Sequence, residues 1–220
     1  MIFGGRLPKA VLWDMDGTLI DSEPHWHASE VKLAAKYNAS WTERDSSQLV
    51  GLSLAEASRI YRDKLSLTLS DEEIVEFLTN SVQAGISEEL TWRPGARELL
   101  LSLRKRGIKT ALVTMSLRRM AIQVVESIGF DAFDVIVAGD DVVHGKPHAE
   151  PYLKAANLLG VMPSECVAFE DSISGILSAE AAGTVAVGIP NVMRIPQIPG
   201  RILWDTLEGK SIKDLRALFP

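Results

Sequence analysis

Five short apolar runs, separated by longer segments of mixed polarity, dominate the pattern along the chain. They occupy residues 10–13, 110–113, 135–138, 166–169 and 185–187. None of them alternates between polar and apolar positions, so each predicts a strand that is buried on both faces. Helical periodicity fills the intervals between the later runs. This alternation of strand and helix predicts an α/β fold with a doubly wound parallel sheet.

Glycine and proline mark the predicted helix ends. Pro94 and Gly95 precede an amphipathic segment that Gly107 can end, and Gly160 and Gly183 can end two later helices. The tail from residue 191 predicts an edge strand near 201–204 and a last helix near 212–218, and it contains no candidate site residue.

The long interval after the first strand breaks this rhythm. Residues 22–92 contain helical patterns only, which predicts an inserted four-helix cap; its clearest segments are 25–37, 54–65 and 71–85. The catalytic core is then residues 1–21 and 93–220. An insertion at the carboxyl end of a strand lies where α/β sheets bind ligands, so we expect a lid rather than a purely structural excursion.

Composition narrows the class of protein. The chain has 220 residues and is 46% hydrophobic, which suits one core with a small inserted domain. A net charge of −6, with no basic run, argues against nucleic acid as a partner. The single cysteine, Cys166, excludes an intrachain disulfide and predicts a buried thiol in a reducing compartment. No leader-like or membrane-spanning apolar stretch is evident, so we expect a cytoplasmic protein without a membrane partner.

Two carboxylates follow the first predicted strand. In extended backbone Asp14 and Asp16 point to the same side, and Gly17 permits a sharp turn behind them. Either aspartate alone is compatible with an ordinary strand-end role. Together they repel each other unless they share a cation or a proton.

A second acidic pair, Glu170 and Asp171, follows the fourth apolar run. Strand ends that are neighbours in a doubly wound sheet meet in one crevice, so all four carboxylates are expected together. Oxygen ligands at this density favour Mg²⁺ as the cofactor, and no cysteine or histidine cluster is available for zinc. The alternative role for Asp171 is to cap the following helix.

Two further strand ends supply groups that suit a phosphate. Thr114 can donate its hydroxyl, and the amides of Met115 and Ser116 are expected to open a helix whose dipole favours an anion. Lys146 precedes another helix and provides a positive charge. Taken alone, Thr114 is more readily an ordinary strand-end residue and Lys146 an ordinary surface lysine; the two acidic pairs reverse that balance. With Mg²⁺, Lys146 balances three ionised carboxylates, so metal dependence is expected.

These motifs resemble those of the haloacid dehalogenase superfamily over residues 9–190. The resemblance rests on Asp14-Met15-Asp16-Gly17-Thr18, Thr114, Lys146-Pro147 and Glu170-Asp171-Ser172. Arg93-Pro94-Gly95 and the Phe169-Glu170-Asp171-Ser172 segment are similar to the subgroup that contains β-phosphoglucomutase and sugar-phosphate phosphatases.

The resemblance implies a Rossmann-like core and an aspartyl-phosphate mechanism. Asp14 would be the nucleophile and Asp16 the acid and base. The metal ligands would be Asp14, the backbone carbonyl of Asp16 and Asp171, with Glu170 in direct or indirect contact. The resemblance also implies that the phosphate is bound by Gly17, Thr18, Thr114, Met115, Ser116 and Lys146.

Departures from the subgroup favour hydrolysis. Leu54 stands where the mutases carry a cap arginine, and Trp26 stands at the position of their hinge histidine. A mutase must hold a bisphosphorylated sugar, and Leu54 provides no charge for the second phosphate. We therefore expect a phosphatase of a small phosphorylated metabolite, a sugar or polyol phosphate. A phosphomutase and a catalytically silent Mg²⁺- and phosphate-binding module are the alternatives. The sequence does not set the oligomeric state, and a monomer is compatible with it.

Overall fold

Six parallel strands form one sheet in the computed structural model, which describes residues 6–219. The strands are β1 (Ala10–Trp13), β2 (Lys109–Val113), β3 (Val135–Val137), β4 (Cys166–Glu170), β5 (Val185–Gly188) and β6 (Ile202–Leu203). Their order across the sheet is β3-β2-β1-β4-β5-β6. β1 and β4 are thus neighbours at the centre, although more than a hundred residues separate them in the chain.

Helices cover both faces of the sheet or belong to the insertion after β1. They are α1 (Glu23–Lys36), α2 (Glu43–Ser47), α3 (Leu54–Leu65), α4 (Asp71–Glu88), α5 (Ala96–Lys105), α6 (Arg118–Ser127), α7 (Glu150–Leu159), α8 (Ile173–Ala181) and α9 (Ile212–Ala217). The predicted doubly wound parallel α/β fold is confirmed.

Burial on both faces explains the unbroken apolar runs. Val11 and Trp13 of β1 belong to the apolar cluster on one face of the sheet. Ala10 and Leu12 belong to the cluster on the other face. Successive side chains of a strand point to opposite faces, so both sets of positions must be apolar.

The third apolar run departs from this expectation. Val135 and Ile136 are partly exposed, and only Val137 of β3 is fully buried. β3 forms one edge of the sheet, where a strand has a neighbour on one side only. The prediction of burial on both faces is therefore wrong for this strand.

The insertion folds around its own apolar cluster, which includes Leu33, Tyr61 and Ile74. Its helices have clear start signals: α3 and α4 each begin with a capping box, in which a serine and a glutamate three residues later satisfy each other's backbone amides. The insertion also touches the sheet's helices, because Val82 and Ile86 of α4 pack in the larger cluster of the core. All four predicted helices of residues 22–92 are present.

The two segments that connect the insertion to the sheet run side by side. Ile20 forms an antiparallel bridge with Trp92. The Asp21 amide donates to the Thr91 carbonyl at 2.8 Å. This pairing holds the insertion directly above the carboxyl end of β1.

Two smaller expectations concern Cys166 and the membrane. Cys166 is fully buried, as predicted, and burial raises the pKa of its thiol to about 12. Across residues 6–219, no helix combines the length and apolar character required to cross a membrane.

Candidate active site

Three carboxylates meet where the central strands end. Asp14 follows β1, and its amide donates to the carbonyl of Phe169 in β4 at 3.1 Å, which brings it beside Glu170 and Asp171. Oxygen atoms of Asp14, Glu170 and Asp171 lie within 4.8 Å of one another. The parallel pairing of β1 with β4 thus brings Asp14 beside Glu170 and Asp171, as the sequence pattern predicts, but the fourth carboxylate, Asp16, is not part of this cluster.

This cluster suits a hard divalent cation. Asp14 Oδ2, Glu170 Oε2 and Asp171 Oδ2 are buried and have no hydrogen-bond partner. Burial raises the pKa of Asp14 to about 7, despite the opposing effect of Lys146. Burial, together with the neighbouring carboxylates, also raises the pKa of Asp171. Burying a carboxylate oxygen without a hydrogen-bond partner costs free energy. Mg²⁺ prefers oxygen ligands, so this cation would satisfy the three atoms.

Lys146 lies against the same carboxylates. Its Nζ is 2.6 Å from Asp14 Oδ1 and 2.6 Å from Glu170 Oε1, and it donates to the Val113 carbonyl at 2.9 Å. Burial tends to lower the pKa of this amine, but the attraction of the two carboxylates outweighs burial and raises it. Lys146 is therefore a fixed positive charge and not an ordinary surface lysine.

Asp16 lies in a different set of contacts. Its Oδ1 accepts hydrogen bonds from Ser22 Oγ at 2.6 Å and from Trp26 Nε1 at 3.0 Å. Its Oδ2 accepts from Ser116 Oγ at 2.8 Å and from Thr114 Oγ1 at 3.3 Å. The Asp16 side chain thus points away from the three-carboxylate cluster, and its backbone carbonyl remains the predicted metal contact.

Gly17 and Thr18 form the turn beneath Asp171. Gly17 has a φ of +82°, and a Cβ atom there would overlap the Asp171 carboxylate, so a side chain cannot be accommodated. Thr18 Oγ1 lies 3.4 Å from Asp171 Oδ1. Their observed contacts are with a candidate metal ligand, and neither residue lines the cavity.

One expectation about a helix start is wrong, and the alternative role of Asp171 as a helix cap is not observed. α6 begins at Arg118, so Met115 and Ser116 precede it in a turn, and the Ser116 amide donates to Thr114 Oγ1 at 3.0 Å. The cap of α8 is Ser172, whose Oγ accepts from the Gly175 amide at 3.0 Å, and not Asp171. Residue type alone does not place a helix start to within one or two positions.

Two polar residues at this site, Tyr152 and Asn191, were not identified from the sequence. The Tyr152 hydroxyl donates to Glu170 Oε1, and its ring lies 5.4 Å from Lys146 Nζ. Tyr152 occupies an apolar position of a helical pattern, so it resembles an ordinary core residue. The side-chain amide nitrogen of Asn191 is buried without a hydrogen-bond partner and lies beside Gly17. Asn191 follows β5, so the strand-end argument that identified the acidic pairs also applied to it.

One cavity joins these groups to the insertion. From the sheet side, Asp14, Asp16, Thr114, Lys146 and Asp171 line it. Met115, Ser116 and Ser172 also contribute to this side. From the insertion, α1, α3 and the segment between them line it with Glu23, Trp26, Glu30, Ser46, Leu49, Val50, Gly51, Leu52, Leu54, Ala57 and Tyr61.

The fold and the site together define an α/β enzyme with a buried acidic cluster, which could hold a cation, at the carboxyl edge of a parallel sheet. Residues 8–183 match the family described as haloacid dehalogenase-like hydrolase, and the chain belongs to this family. The family resemblance stated from the motifs is confirmed.

Curated relatives and a solved structure agree with this assignment. The chain is 35% identical to a phosphorylated carbohydrates phosphatase of Thermotoga maritima, over 80% of this chain and 82% of the relative. It is 34% identical to hexitol phosphatase A of Escherichia coli K12, over 83% of this chain and 84% of the relative. CbbY from Rhodobacter sphaeroides, solved as a variant in complex with xylulose-1,5-bisphosphate, superimposes with a TM-score of 0.87 at 26% identity, over 95% of this chain and 99% of CbbY.

Proposed function

We propose that this protein is an Mg²⁺-dependent phosphatase that hydrolyses a sugar or polyol phosphate through an aspartyl phosphate on Asp14. The observation that carries the proposal is the trio of unpartnered carboxylate oxygens of Asp14, Glu170 and Asp171. Asp14 and Asp171 line one cavity with Lys146 and Asp16. The names of the two curated relatives, a phosphorylated carbohydrates phosphatase and a hexitol phosphatase, support the substrate class.

Asp14, Asp171 and the Asp16 carbonyl would hold the cation, and Glu170 would complete the site directly or through water. When bound, Mg²⁺ offsets the negative charge of the carboxylates and of the phosphoryl group. The chain's own contribution is the fixed geometry of the ligands. Lys146 pairs with Asp14 and Glu170, and this contact limits the movement of both carboxylates.

Asp14 is the proposed nucleophile. One of its oxygens is held by Lys146, and the other accepts no hydrogen bond within residues 6–219. Attack of a carboxylate oxygen on phosphorus forms the aspartyl phosphate and releases the alcohol. Lys146, already at the nucleophile, is positioned to share its charge with the oxygens of the transferred group.

Asp16 is the proposed acid and base. It gives a proton to the departing alkoxide, and as a carboxylate it then takes a proton from the water that attacks the aspartyl phosphate. Its four hydrogen-bond donors keep the carboxyl group in the cavity and apart from the cation ligands. The proposed role of Asp16 as a base also argues against a catalytically silent binding module, because a long-lived phosphoenzyme needs no base beside it.

The proposal includes the division into a core, residues 1–21 and 93–220, and a cap, residues 22–92, that closes over the leaving group. Within residues 6–219, Lys146 is the only basic side chain that lines the cavity. A mutase must turn a bisphosphorylated intermediate over and hold either phosphate at the distal end. The lining therefore favours hydrolysis over phosphoryl transfer within a sugar.

A cytoplasmic location is also part of the proposal, and the buried, unpaired Cys166 supports it.

A screen of phosphorylated metabolites for phosphate release, with and without Mg²⁺, tests this function. We expect release from sugar or polyol phosphates that requires Mg²⁺, stops with EDTA and resumes when Mg²⁺ is restored. Asp14→Asn should abolish release, whereas Asp63→Asn, an exposed aspartate of the insertion, should not change it. Metal-independent release, or an Asp14→Asn variant with wild-type turnover, contradicts the proposal.

A further inference from the structure

The end of the cavity that faces the insertion differs in chemistry from the end that holds the carboxylate cluster. Leucine side chains line much of it, together with a small set of polar side chains. We call this region the cap wall and define its polar part as Glu23, Trp26, Glu30, Ser46 and Tyr61. Any leaving group of a phosphate bound at Asp14 must lie against this wall, because the cavity joins the two ends.

The hydrogen-bond donors of the cap wall are already used within the protein. Trp26 Nε1 donates to Asp16 Oδ1 at 3.0 Å. The hydroxyl groups of Ser46 and Tyr61 both donate to the buried carboxylate of Glu30. None of the donors of Trp26, Ser46 and Tyr61 is left for a ligand.

The acceptors of the cap wall are not used in the same way. Within residues 6–219, no hydrogen bond is made to the carboxylate of Glu23, which is half-buried at the start of α1. Because Tyr61 directs its proton to Glu30, its oxygen can offer only lone pairs to the cavity. The wall thus combines a free carboxylate and a phenolic oxygen with apolar surface.

We propose that the cap wall selects the leaving group by accepting hydrogen bonds from it. The substrate class that follows is a phosphate monoester whose alcohol part carries further hydroxyl or ammonium donors and no second anionic group. This inference rests on the proposed function and specifies the substrate of the same site.

The same wall excludes a second phosphate. A phosphate dianion has acceptors and no donor, so it would leave Glu23 unsatisfied and repel it. Burial, reinforced by Asp16, Glu30 and Asp21 and opposed by Arg93, raises the pKa of Glu23, so a further negative charge beside it is unfavourable. A hydroxyl or ammonium group relieves that charge, and a second anion adds to it.

Glu23→Gln tests the inference with little change in side-chain size. Phosphate release would be measured on sorbitol 6-phosphate, glucosamine 6-phosphate, fructose 1,6-bisphosphate and p-nitrophenyl phosphate, whose leaving group carries no hydroxyl donor. We expect the kcat/KM ratio of sorbitol 6-phosphate to p-nitrophenyl phosphate to fall about tenfold in the variant, because a hydrogen bond to a charged acceptor is lost. The ratio for the bisphosphate should rise. Glu88→Gln, at an exposed glutamate of α4, is the matched control and should alter neither ratio.

The substrate panel also separates the two possible donors. A larger loss on glucosamine 6-phosphate assigns the contact to the ammonium group, and an equal loss assigns it to hydroxyl groups; both support the inference. A Glu23→Gln ratio within twofold of wild type, or a wild-type preference for the bisphosphate, overturns it while leaving the phosphatase intact. Absence of release from all four substrates by the wild-type protein instead overturns the proposed function, and the inference with it.

Discussion

Glu23 makes the stability of this protein depend on pH in a way that one substitution can isolate. Burial is the largest cause that raises its pKa from 4.5 to about 7, and the charges of Asp16, Glu30 and Asp21 add to it. Arg93 opposes the increase. The folded protein therefore binds a proton at Glu23 more tightly than the unfolded chain does.

The sign of the effect follows from linkage. A raised pKa in the folded state contributes stability that is fully present below pH 4.5 and is lost as the pH rises through about 7. Each pH unit between these values changes the unfolding free energy by about 1.4 kcal/mol. Because Glu23 is only half-buried, solvent screening reduces the effect, and we expect a loss of about 1–2 kcal/mol between about pH 5.5 and about pH 8.

Urea unfolding of metal-free wild-type and Glu23→Gln protein at both pH values measures this loss. The amide does not titrate, so the variant should gain about 1–2 kcal/mol relative to wild type at the higher pH. Glu88→Gln should follow the wild-type curve. A difference between Glu23→Gln and wild type that is independent of pH, or that has the opposite sign, refutes the account of Glu23.

Three further substitutions examine the carboxylate cluster and Asp16. Lys146→Met should lower the unfolding free energy in metal-free buffer by about 3–5 kcal/mol, because it leaves two buried carboxylates unpaired; a loss under about 1 kcal/mol in urea unfolding would contradict that pairing. Tyr152→Phe keeps the ring beside Lys146 but removes the hydroxyl that orients Glu170, and it should weaken Mg²⁺ binding about tenfold in titration calorimetry; unchanged affinity would exclude this role. Trp26→Phe removes a donor to Asp16 and should lower kcat about tenfold with Mg²⁺ affinity unchanged; wild-type kcat would show that the hydrogen bond is dispensable.

The fold was largely predictable from the sequence, because a strand that is buried on both faces appears as an unbroken apolar run. The apolar runs at β1 and β4 contain no polar position, the run at β2 contains only one, Thr110, and the glycines at helix ends agree with the observed termini. β3 was less predictable, since its apolar residues look the same whether the strand is central or at an edge. Its position depends on which strands pair, which is a property of the whole sheet.

The candidate site was predictable only where residues follow strands. Asp14, Glu170 and Asp171 meet because β1 and β4 are neighbours, a placement that the strand-end argument anticipates. The partners of Asp16 were not predictable in this way. Trp26 reaches Asp16 from α1, and a helical pattern does not show which side chain will point at a distant carboxylate.

Trapping the phosphoenzyme tests the central claim most directly. Asp16→Asn removes the proposed base, so a phosphorylated substrate with Mg²⁺ should leave a phosphoryl group that is released slowly. Peptide mass spectrometry after acid quenching should locate that group on Asp14, and Asp14→Asn should take up none. Substrate turnover without phosphorylation of Asp14, or a phosphoryl group on another residue, would contradict the account.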